Sequence, residues 1–283
     1  MGKIKSVGVI GSGIMGSGLA EVAARSGFDV VVRSRTQAGA DAVLSGIDAG
    51  LTKQVSRERL TEADRKSILS RISVTEDLHE LGDCDLVIES VVEDMEIKRD
   101  IFTRLDEITR PDAILATNTS TLAVVELAVA TRHPERVCGI HFFNPAPMMK
   151  LVEVIVPLTA SEETISAALG FASDCGKDAV KVQDRAGFIV NALLFPYLNN
   201  AIRMWEQGTA SMDDIDTAMQ GGCNFPMGPF ALLDLVGLDT SLAILDALYE
   251  EFRDPNFAAA PALRRMVAAG RLGRKTKQGF RSY

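Results

Sequence analysis

The hydrophobic pattern of the chain changes character near residue 184. Before that point, short runs rich in Val and Ile alternate with stretches of helical periodicity, which is typical of a parallel sheet covered by helices on both faces. The predicted strands span residues 4–10, 28–33, 71–74, 85–89, 113–117, 137–142, 151–156 and 179–182. The predicted helices span residues 14–26, 38–55, 62–69, 95–109, 122–131 and 162–176.

The strand pattern does not recur after residue 186. A long apolar helix is predicted over residues 187–207, Ser211 opens another, and two or three more follow the turn from Pro226 to Pro229. The pattern therefore predicts an α/β domain over residues 1–184 and an all-helical domain over residues 185–283.

Composition limits the classes of partner. The chain has 283 residues, 47% of them hydrophobic, and its first predicted strand begins at Ile4. Because no apolar run approaches the roughly 20 residues that span a bilayer, we expect no membrane partner and a cytoplasmic location. The formal charge of -8 argues against nucleic-acid binding, which depends on clustered Lys and Arg.

Local basic patches and the cysteines refine this picture. The segment with Lys53, Arg57 and Arg59, and the tail from Arg271 to Lys277, can each hold an acidic ligand or form ordinary solvated surface. The four cysteines lie far apart, with no Cys-x-x-Cys pair: Cys84, Cys138, Cys175 and Cys223. We therefore expect reduced, buried thiols and no metal site.

A glycine-rich turn, Gly11-Ser12-Gly13-Ile14-Met15-Gly16, follows the first strand and opens the first helix. Gly11 permits a tight turn, Gly13 lets the backbone approach a pyrophosphate, and Gly16 lets the helix pack closely. Free N–H groups and the positive end of the helix dipole then face the phosphates. The motif predicts a doubly wound sheet of the Rossmann type that binds a dinucleotide through Gly11, Gly13, Ile14, Met15 and Gly16.

The end of the second strand carries Ser34 and Arg35, where an NAD-binding sheet places an acid that bonds the adenine ribose. A hydroxyl beside a guanidinium can instead hold a 2′-phosphate. This pair predicts NADP as the preferred cofactor over NAD, and the alternative is a surface pair that contacts no ligand.

Four polar side chains stand out against their surroundings. Ser120 follows a predicted strand at the sheet edge where doubly wound folds bind ligands, although serines also cap helices. Glu153 interrupts an apolar strand and must be paired or neutral, and the turn before it can return that strand beside His141. We predict a His141–Glu153 catalytic pair. Asn191, in an apolar helix, either meets a ligand or satisfies neighbouring backbone.

Eight separated motifs, taken in order, resemble the L-3-hydroxyacyl-CoA dehydrogenase family over essentially the whole chain. They are the glycine turn, VIESVVED (87–94), NTS (118–120), HFFNP (141–145), KLVEV (150–154), DRAGFIVN (184–191), PMGP (226–229) and GLDT (237–240). At this length the chain is most similar to the stand-alone bacterial 3-hydroxybutyryl-CoA dehydrogenases. The resemblance implies an NAD(P)-dependent oxidoreductase that interconverts (S)-3-hydroxybutyryl-CoA and acetoacetyl-CoA.

The resemblance also implies roles for matching residues. His141 would exchange a proton with the 3-hydroxyl group, Glu153 would orient its imidazole, and Ser120 and Asn191 would hold the substrate oxygen. Further matching positions that contact the cofactor are Glu93, Lys98, Ser120, Asn144 and Lys275. Lys53 and Arg57 lie nearest to the position that meets the phosphates of CoA. A homodimer through the helical domain is implied as well.

Alternatives to this function keep the same fold. The acyl group could be longer, or carried on an acyl carrier protein, without a change of chemistry. A non-catalytic dinucleotide-binding structural or sensor protein would bind cofactor without turnover.

The corner Ser34-Arg35-Thr36 is similar to the Asn-Arg-Thr corner of NADP-using β-hydroxyacid dehydrogenases, which favours NADP.

Overall fold

The computed structural model describes residues 4–283 and divides into two compact units, the first ending at Asp184 and the second spanning Arg185–Tyr283. The strands of the first unit are β1 Ser6–Ile10, β2 Asp29–Arg33, β3 Ile72–Thr75, β4 Leu86–Glu89, β5 Ile114–Thr117, β6 Val137–Phe142, β7 Leu151–Val156 and β8 Asp178–Gln183. Its helices are α1 Ile14–Arg25, α2 Gln37–Val55, α3 Glu62–Ser70, α4 Met95–Ile108, α5 Val124–Ala128 and α6 Glu162–Asp174.

The eight strands of this unit form one sheet in the order β3-β2-β1-β4-β5-β6-β7-β8. Every neighbouring pair is parallel except β6 and β7, which are antiparallel. The chain winds outward from β1 in both directions, so the order reverses between β1 and β4. In doubly wound sheets such a switch point opens a crevice beyond the carboxyl ends of the strands.

Side-chain alternation places helices on both faces of the sheet. One face packs Val7, Val9, Ile88 and Ile140 into a core shared with α1, α2 and α6. On the other face, α5 packs against β6 and α4 packs against α5. The α/β fold class and doubly wound architecture predicted from the sequence are confirmed, and the antiparallel β7 is the strand that was expected to return beside His141.

Two predicted helices are shorter in the structure, for local reasons. The helix predicted over 122–131 is reduced to α5, because Thr119 Oγ1 accepts from the amide of Leu122 and holds the preceding residues in a polar turn. The helix predicted over 187–207 begins only at Val190, because Gly187 and Phe188 have positive φ values of 72° and 48°. The helix α3 begins with a reciprocal capping box between Thr61 and Asp64.

The second unit is all-helical, as predicted. Its helices are α7 Val190–Glu206, α8 Met212–Cys223, α9 Pro229–Val236, α10 Leu238–Phe252 and α11 Pro261–Ala268. Its core includes the edge-on ring pairs of Trp205, Phe230 and Phe280. The buried Asp234 accepts hydrogen bonds from the amides of Phe280 and Arg281, which fixes the last residues of the chain on this core. Across residues 4–283, the helices are too short or too polar to span a membrane.

Candidate active site

The glycine turn after β1 is built from close backbone contacts. Gly11 has φ +126°, and a Cβ there would lie 2.2 Å from the carbonyl oxygen of Ser90. A Cβ at Gly16 would lie 2.0 Å from the Gly11 oxygen, whereas nothing lies within 4 Å of a Cβ at Gly13. The turn therefore excludes side chains beneath it and leaves open space at Gly13, where α1 begins. These features fit a pyrophosphate held at a helix N-terminus.

The side chains beside the turn agree with this fit. Ile14, in the first turn of α1, is 77% exposed although it is apolar, and Met15 is half-buried. In the described chain, the N-terminus of α1 has no side-chain cap and no acidic residue in its first turn. The positive end of the helix dipole is therefore not offset by a carboxylate of its own helix.

The corner after β2 combines hydroxyl groups with positive charge. Ser34 is buried, and its hydroxyl donates to Ser12 Oγ at 3.0 Å. Thr36 caps α2 by accepting from the amide of Gly39, and Arg35 is exposed between them. Burial, followed by the charges of Arg104 and Arg35, lowers the pKa of Arg33. Three guanidinium groups therefore lie near this corner, together with the carboxylates of Glu76 and Asp77, whose charges oppose the lowering.

His141 and Glu153 face each other across the antiparallel pair of β6 and β7. The His141 Nδ1 lies 2.8 Å from Glu153 Oε2, and both side chains are buried, with 5% and 0% of their surface exposed. A proton on Nδ1 donates to the carboxylate and leaves Nε2 as an acceptor. The predicted pairing of these two residues is confirmed, and their chemical roles stay predictions.

Ser120 lies at the other nitrogen of the imidazole. Its Oγ is 3.2 Å from His141 Nε2. The loop that carries it follows β5. Asn118, two residues before Ser120, accepts from the amide of Phe142 at 2.8 Å, which joins this loop to the end of β6. Ser120, His141 and Glu153 therefore form one line of hydrogen-bonding groups at the carboxyl end of β5 and β6.

Glu93 and Lys98 lie behind the Ser120 loop. Glu93 accepts from the amide of Ser120 at 2.9 Å and from the hydroxyl of Thr119. Lys98 is only 1% exposed, and its ammonium contacts Glu89 at 2.7 Å and Glu93 at 3.4 Å. The structure thus places Lys98 inside an ion-pair network, and its predicted contact with the cofactor stays a prediction.

The other predicted ligand contacts of the first unit are at its surface. Asn144 is exposed just beyond the end of β6. Lys53 is in the last turn of α2, and Arg57 follows that helix; both are exposed. Within residues 4–283 neither of these two cations forms an ion pair, so both charges are available to an anion.

Two predicted site residues belong to the helical unit. Asn191, in the first turn of α7, is buried with 8% exposure. Lys275 pairs with Asp239 at the start of α10, where its Nζ lies 2.6 Å from Oδ2. Both are therefore held in defined positions of their own unit.

Metal binding and thiol chemistry contribute little to this picture. The described residues contain no group of three or more His, Cys, Asp and Glu side chains arranged to hold a metal. Cys84, Cys138 and Cys175 are buried as predicted, and burial raises the pKa of Cys138 to about 12. The prediction was wrong for Cys223, which is exposed because it ends α8, next to the left-handed Asn224.

Sequence reasoning missed three residues near the site: Ser12, Glu89 and Asn118. Glu89 had the same signal that identified Glu153, a carboxylate in an apolar strand, and it is fully buried. Asn118 was visible only as part of a polar run, and Ser12 as the variable residue of the glycine turn. Ser12 contacts Ser34 and Asn118 contacts Phe142, each more than 20 residues away, so no local pattern indicates these two contacts.

Both units of the chain are similar to known proteins. Residues 6–185 match the family model described as 3-hydroxyacyl-CoA dehydrogenase, NAD binding domain, and residues 187–283 match the C-terminal domain of the same family. A 3-hydroxybutyryl-CoA dehydrogenase of Clostridioides difficile is 48% identical over 97% of this chain and 98% of its own length.

Solved structures of similar proteins also cover nearly the whole chain, among them the following two. FadB2 of M. tuberculosis is 46% identical with a TM-score of 0.97 and full coverage of both chains. The (S)-3-hydroxybutyryl-CoA dehydrogenase PaaH1 of Ralstonia eutropha is 40% identical with a TM-score of 0.97 over 99% of each chain. With both of its units matched by family models and relatives of this identity along its full length, the chain belongs to the 3-hydroxyacyl-CoA dehydrogenase family.

Proposed function

We propose that this protein is an NADP-preferring 3-hydroxybutyryl-CoA dehydrogenase that interconverts (S)-3-hydroxybutyryl-CoA and acetoacetyl-CoA. The observation that supports it most is the buried His141–Glu153 pair with Ser120 at the second imidazole nitrogen, Nε2. It lies in the same sheet as a glycine turn that fits a dinucleotide. The names of the similar proteins from C. difficile and R. eutropha support the same substrate.

His141 is the proposed acid and base. In the oxidation direction, its Nε2 takes the proton of the 3-hydroxyl group as the C3–H bond breaks and the C3 carbonyl forms. Glu153 accepts from Nδ1–H, which fixes the tautomer and stabilises the imidazolium that results. In the reduction direction the same proton returns from Nε2 to the oxygen on C3. A bound nicotinamide dinucleotide accepts or supplies the hydride.

Ser120 and Asn191 are proposed to hold the oxygen on C3. The Ser120 hydroxyl, already within 3.2 Å of Nε2, is placed to donate to an oxygen that is also close to the imidazole. A donor directed at a developing alkoxide or a polarised carbonyl lowers the barrier, because the group is ordered before the reaction begins. Asn191 is proposed for the same role from its position in the family motif.

The dinucleotide is proposed to bind along the carboxyl edge of the sheet. The glycine turn, with Gly11, Gly13, Ile14, Met15 and Gly16, would hold the pyrophosphate. Further contacts are proposed from Glu93, Lys98, Ser120, Asn144 and Lys275, which match the family positions. The exposed Lys53 and Arg57 are proposed to meet the phosphates of CoA.

The preference for NADP is proposed from the corner after β2. Ser34 offers a hydroxyl where an acid would repel a 2′-phosphate, and Arg35 is exposed beside it. Arg33 and Arg104 add positive charge nearby. A guanidinium can make two charge-assisted hydrogen bonds to one phosphate.

A homodimer is proposed through the helical unit. Three apolar side chains on or beside α7 are exposed: Ile189 by 39%, Leu193 by 72% and Met204 by 42%. Their spacings of four and eleven residues place them on one helical face. Exposed apolar side chains in a row are typical of protein interfaces. Light scattering of the purified protein tests this proposal. The cytoplasmic location expected from the sequence stays a prediction.

Steady-state kinetics of the purified protein test the proposed function. Acetoacetyl-CoA should be reduced with both cofactors, with a higher kcat/KM for NADPH than for NADH. The same assay with acetoacetyl groups on an acyl carrier protein, and with longer 3-ketoacyl-CoA thioesters, distinguishes the proposed substrate from its alternatives. Absence of turnover with either cofactor and every thioester would instead favour a non-catalytic dinucleotide-binding protein.

A further inference from the structure

A buried ion pair lies beneath the Ser120 loop. Lys98 of α4 and Glu89 at the end of β4 are 1% and 0% exposed, and the Lys98 Nζ donates to both Glu89 oxygens at 2.7 and 2.9 Å. Glu89 also accepts from the amide of Val91 at 2.6 Å and the hydroxyl of Thr117 at 2.7 Å. With these donors, the Glu89 carboxylate is fully engaged by its own chain, so it is not a ligand-binding group.

The pair is connected to the Ser120 loop through Glu93. Lys98 Nζ lies 3.4 Å from Glu93 Oε2. The other oxygen, Oε1, accepts from the amide of Ser120 at 2.9 Å and from the amide of Thr121 at 3.2 Å. One carboxylate therefore links the buried ammonium to the backbone of the loop.

The orientation of the Ser120 side chain depends on this backbone contact. Its Oγ is 3.2 Å from His141 Nε2, and a rotation of the Ser120 peptide would move the hydroxyl away from the imidazole. We propose that the Lys98–Glu89 pair is a positioning device, which holds Glu93 so that Glu93 holds the Ser120 loop against His141. This inference rests on the proposed function, because it assigns the pair a part in arranging the same site.

Electrostatics explain why Lys98 is needed. Burial by itself raises the pKa of Glu93, and the charge of Lys98 with the donors Thr119 and Ser120 more than offsets it, so that the pKa lies below its ordinary value. The Glu93 side chain is still 38% exposed. Without the ammonium, the carboxylate has a path to solvent, where it is better hydrated than in the protein.

A simpler role for the pair would be to join β4, α4 and β5 without any effect on chemistry. Three variants separate these roles: Lys98→Met, Glu89→Gln and the double variant. The double variant removes both buried charges, and neutral replacement of a whole buried pair often preserves stability, whereas breaking one half is costly. Gln at position 89 can still accept from the Val91 amide, and its NH2 group can donate to the Thr117 hydroxyl.

A matched control is available at the other end of the sheet. Arg136 is 2% exposed and pairs with the buried Asp106 at 2.8 Å, just before β6 begins. His141 is the fifth residue of that strand, roughly 16 Å away at about 3.3 Å per residue. Arg136→Met should lower the melting temperature but leave kcat per folded molecule unchanged.

The kinetic outcome distinguishes positioning from structural support. For the positioning role, kcat falls about 100-fold in both Lys98→Met and the double variant, with the thioester KM nearly unchanged, because misplacement of a reacting group by about 1 Å has an effect of this size. The double variant recovers thermal stability without recovering kcat. Joint recovery of stability and kcat would overturn the inference. A rise in the cofactor KM at unchanged kcat would also overturn it, since Lys98 would then act only through the cofactor contact proposed above and not by positioning the Ser120 loop.

Amide hydrogen exchange provides a test that does not depend on turnover. The Ser120 and Thr121 amides should exchange slowly in the wild type and in Arg136→Met. In Lys98→Met and in the double variant they should exchange at least about 10-fold faster. A 10-fold increase in the exchange rate corresponds to a loss of about 1.4 kcal/mol of protection. Equal protection in all four proteins would refute the positioning role. If the wild type does not reduce acetoacetyl-CoA, the proposed function fails, and the exchange data still decide whether the pair holds the loop.

Discussion

The glycine turn after β1 and the His141 site after β6 lie at strand ends of the same sheet, yet they are built from different groups. The turn is formed by backbone and open space, with Gly13 free of neighbours within 4 Å of a Cβ. The His141 site is formed by buried side chains, among them Glu153 and Glu89, neither of which is exposed to solvent. We therefore expect added side-chain atoms to disturb the glycine turn, and the removal of a charge to disturb the His141 site.

The difference follows from what each region is expected to do. A pyrophosphate already carries its charge, so N–H groups at a helix N-terminus suffice to bind it. A proton transfer changes the charge of the imidazole during the reaction, so His141 needs a carboxylate that is ordered in advance. The same sheet therefore provides a binding edge formed by backbone and a reactive edge formed by ordered side chains.

The largest effect is expected at the reactive edge, with Glu153→Gln. The amide can still accept from His141 Nδ1, but it carries no charge to stabilise the imidazolium. We expect kcat for acetoacetyl-CoA reduction to fall roughly 10²- to 10⁴-fold, with cofactor affinity unchanged in a fluorescence titration. The exposed Glu163 of α6 offers a control, because Glu163→Gln should be silent. A near wild-type kcat in Glu153→Gln would show that the charge of Glu153 is not needed for proton transfer.

A smaller effect, of the opposite kind, is expected at the binding edge with Gly16→Ala. The new Cβ would lie 2.0 Å from the Gly11 oxygen, so the turn must shift. We expect cofactor affinity to fall about 10- to 100-fold, the loss of roughly one or two hydrogen bonds to a charged group. Gly46→Ala in α2, where nothing lies within 4 Å, should bind cofactor normally and melt slightly higher. Unchanged cofactor affinity in Gly16→Ala would show that the phosphates bind elsewhere.

The smallest effect is expected from Arg35→Ala, because the side chain is exposed and is proposed to meet only the 2′-phosphate of the cofactor. The kcat/KM for NADPH should fall about 10-fold, consistent with the loss of one charge-assisted hydrogen bond, while the kcat/KM for NADH stays nearly constant. Paired kinetics with both cofactors measure this. Equal losses would show that the corner does not hold the 2′-phosphate.

The two regions also differ in how well the sequence predicted them. The glycine turn is a local motif, so its strand, turn and helix could be read directly from residues 6–25. The His141–Glu153 pair was predictable because strand alternation and a short turn fix which residues face each other. The Glu89–Lys98 pair was not, since it depends on how α4 packs over the ends of β4 and β5, and that packing leaves no periodic signal.

The differences between the predicted and the observed structure also have local causes. The shortened α5 reflects a hydrogen bond from the Leu122 amide to Thr119, and propensity alone does not reveal such a competitor for the helix. The exposed Cys223 reflects its place at the end of α8. The bounds of single elements were therefore least predictable where side chains bond to backbone.

The central claim is that the binding edge and the reactive edge are separable parts of one dehydrogenase. It is tested most directly by measuring NADPH binding and acetoacetyl-CoA turnover on the same samples of wild type and His141→Gln. We expect equal NADPH affinity for the two proteins and a kcat at least about 10²-fold lower in the variant. Full reductase activity in His141→Gln, with NADPH still bound, would contradict it.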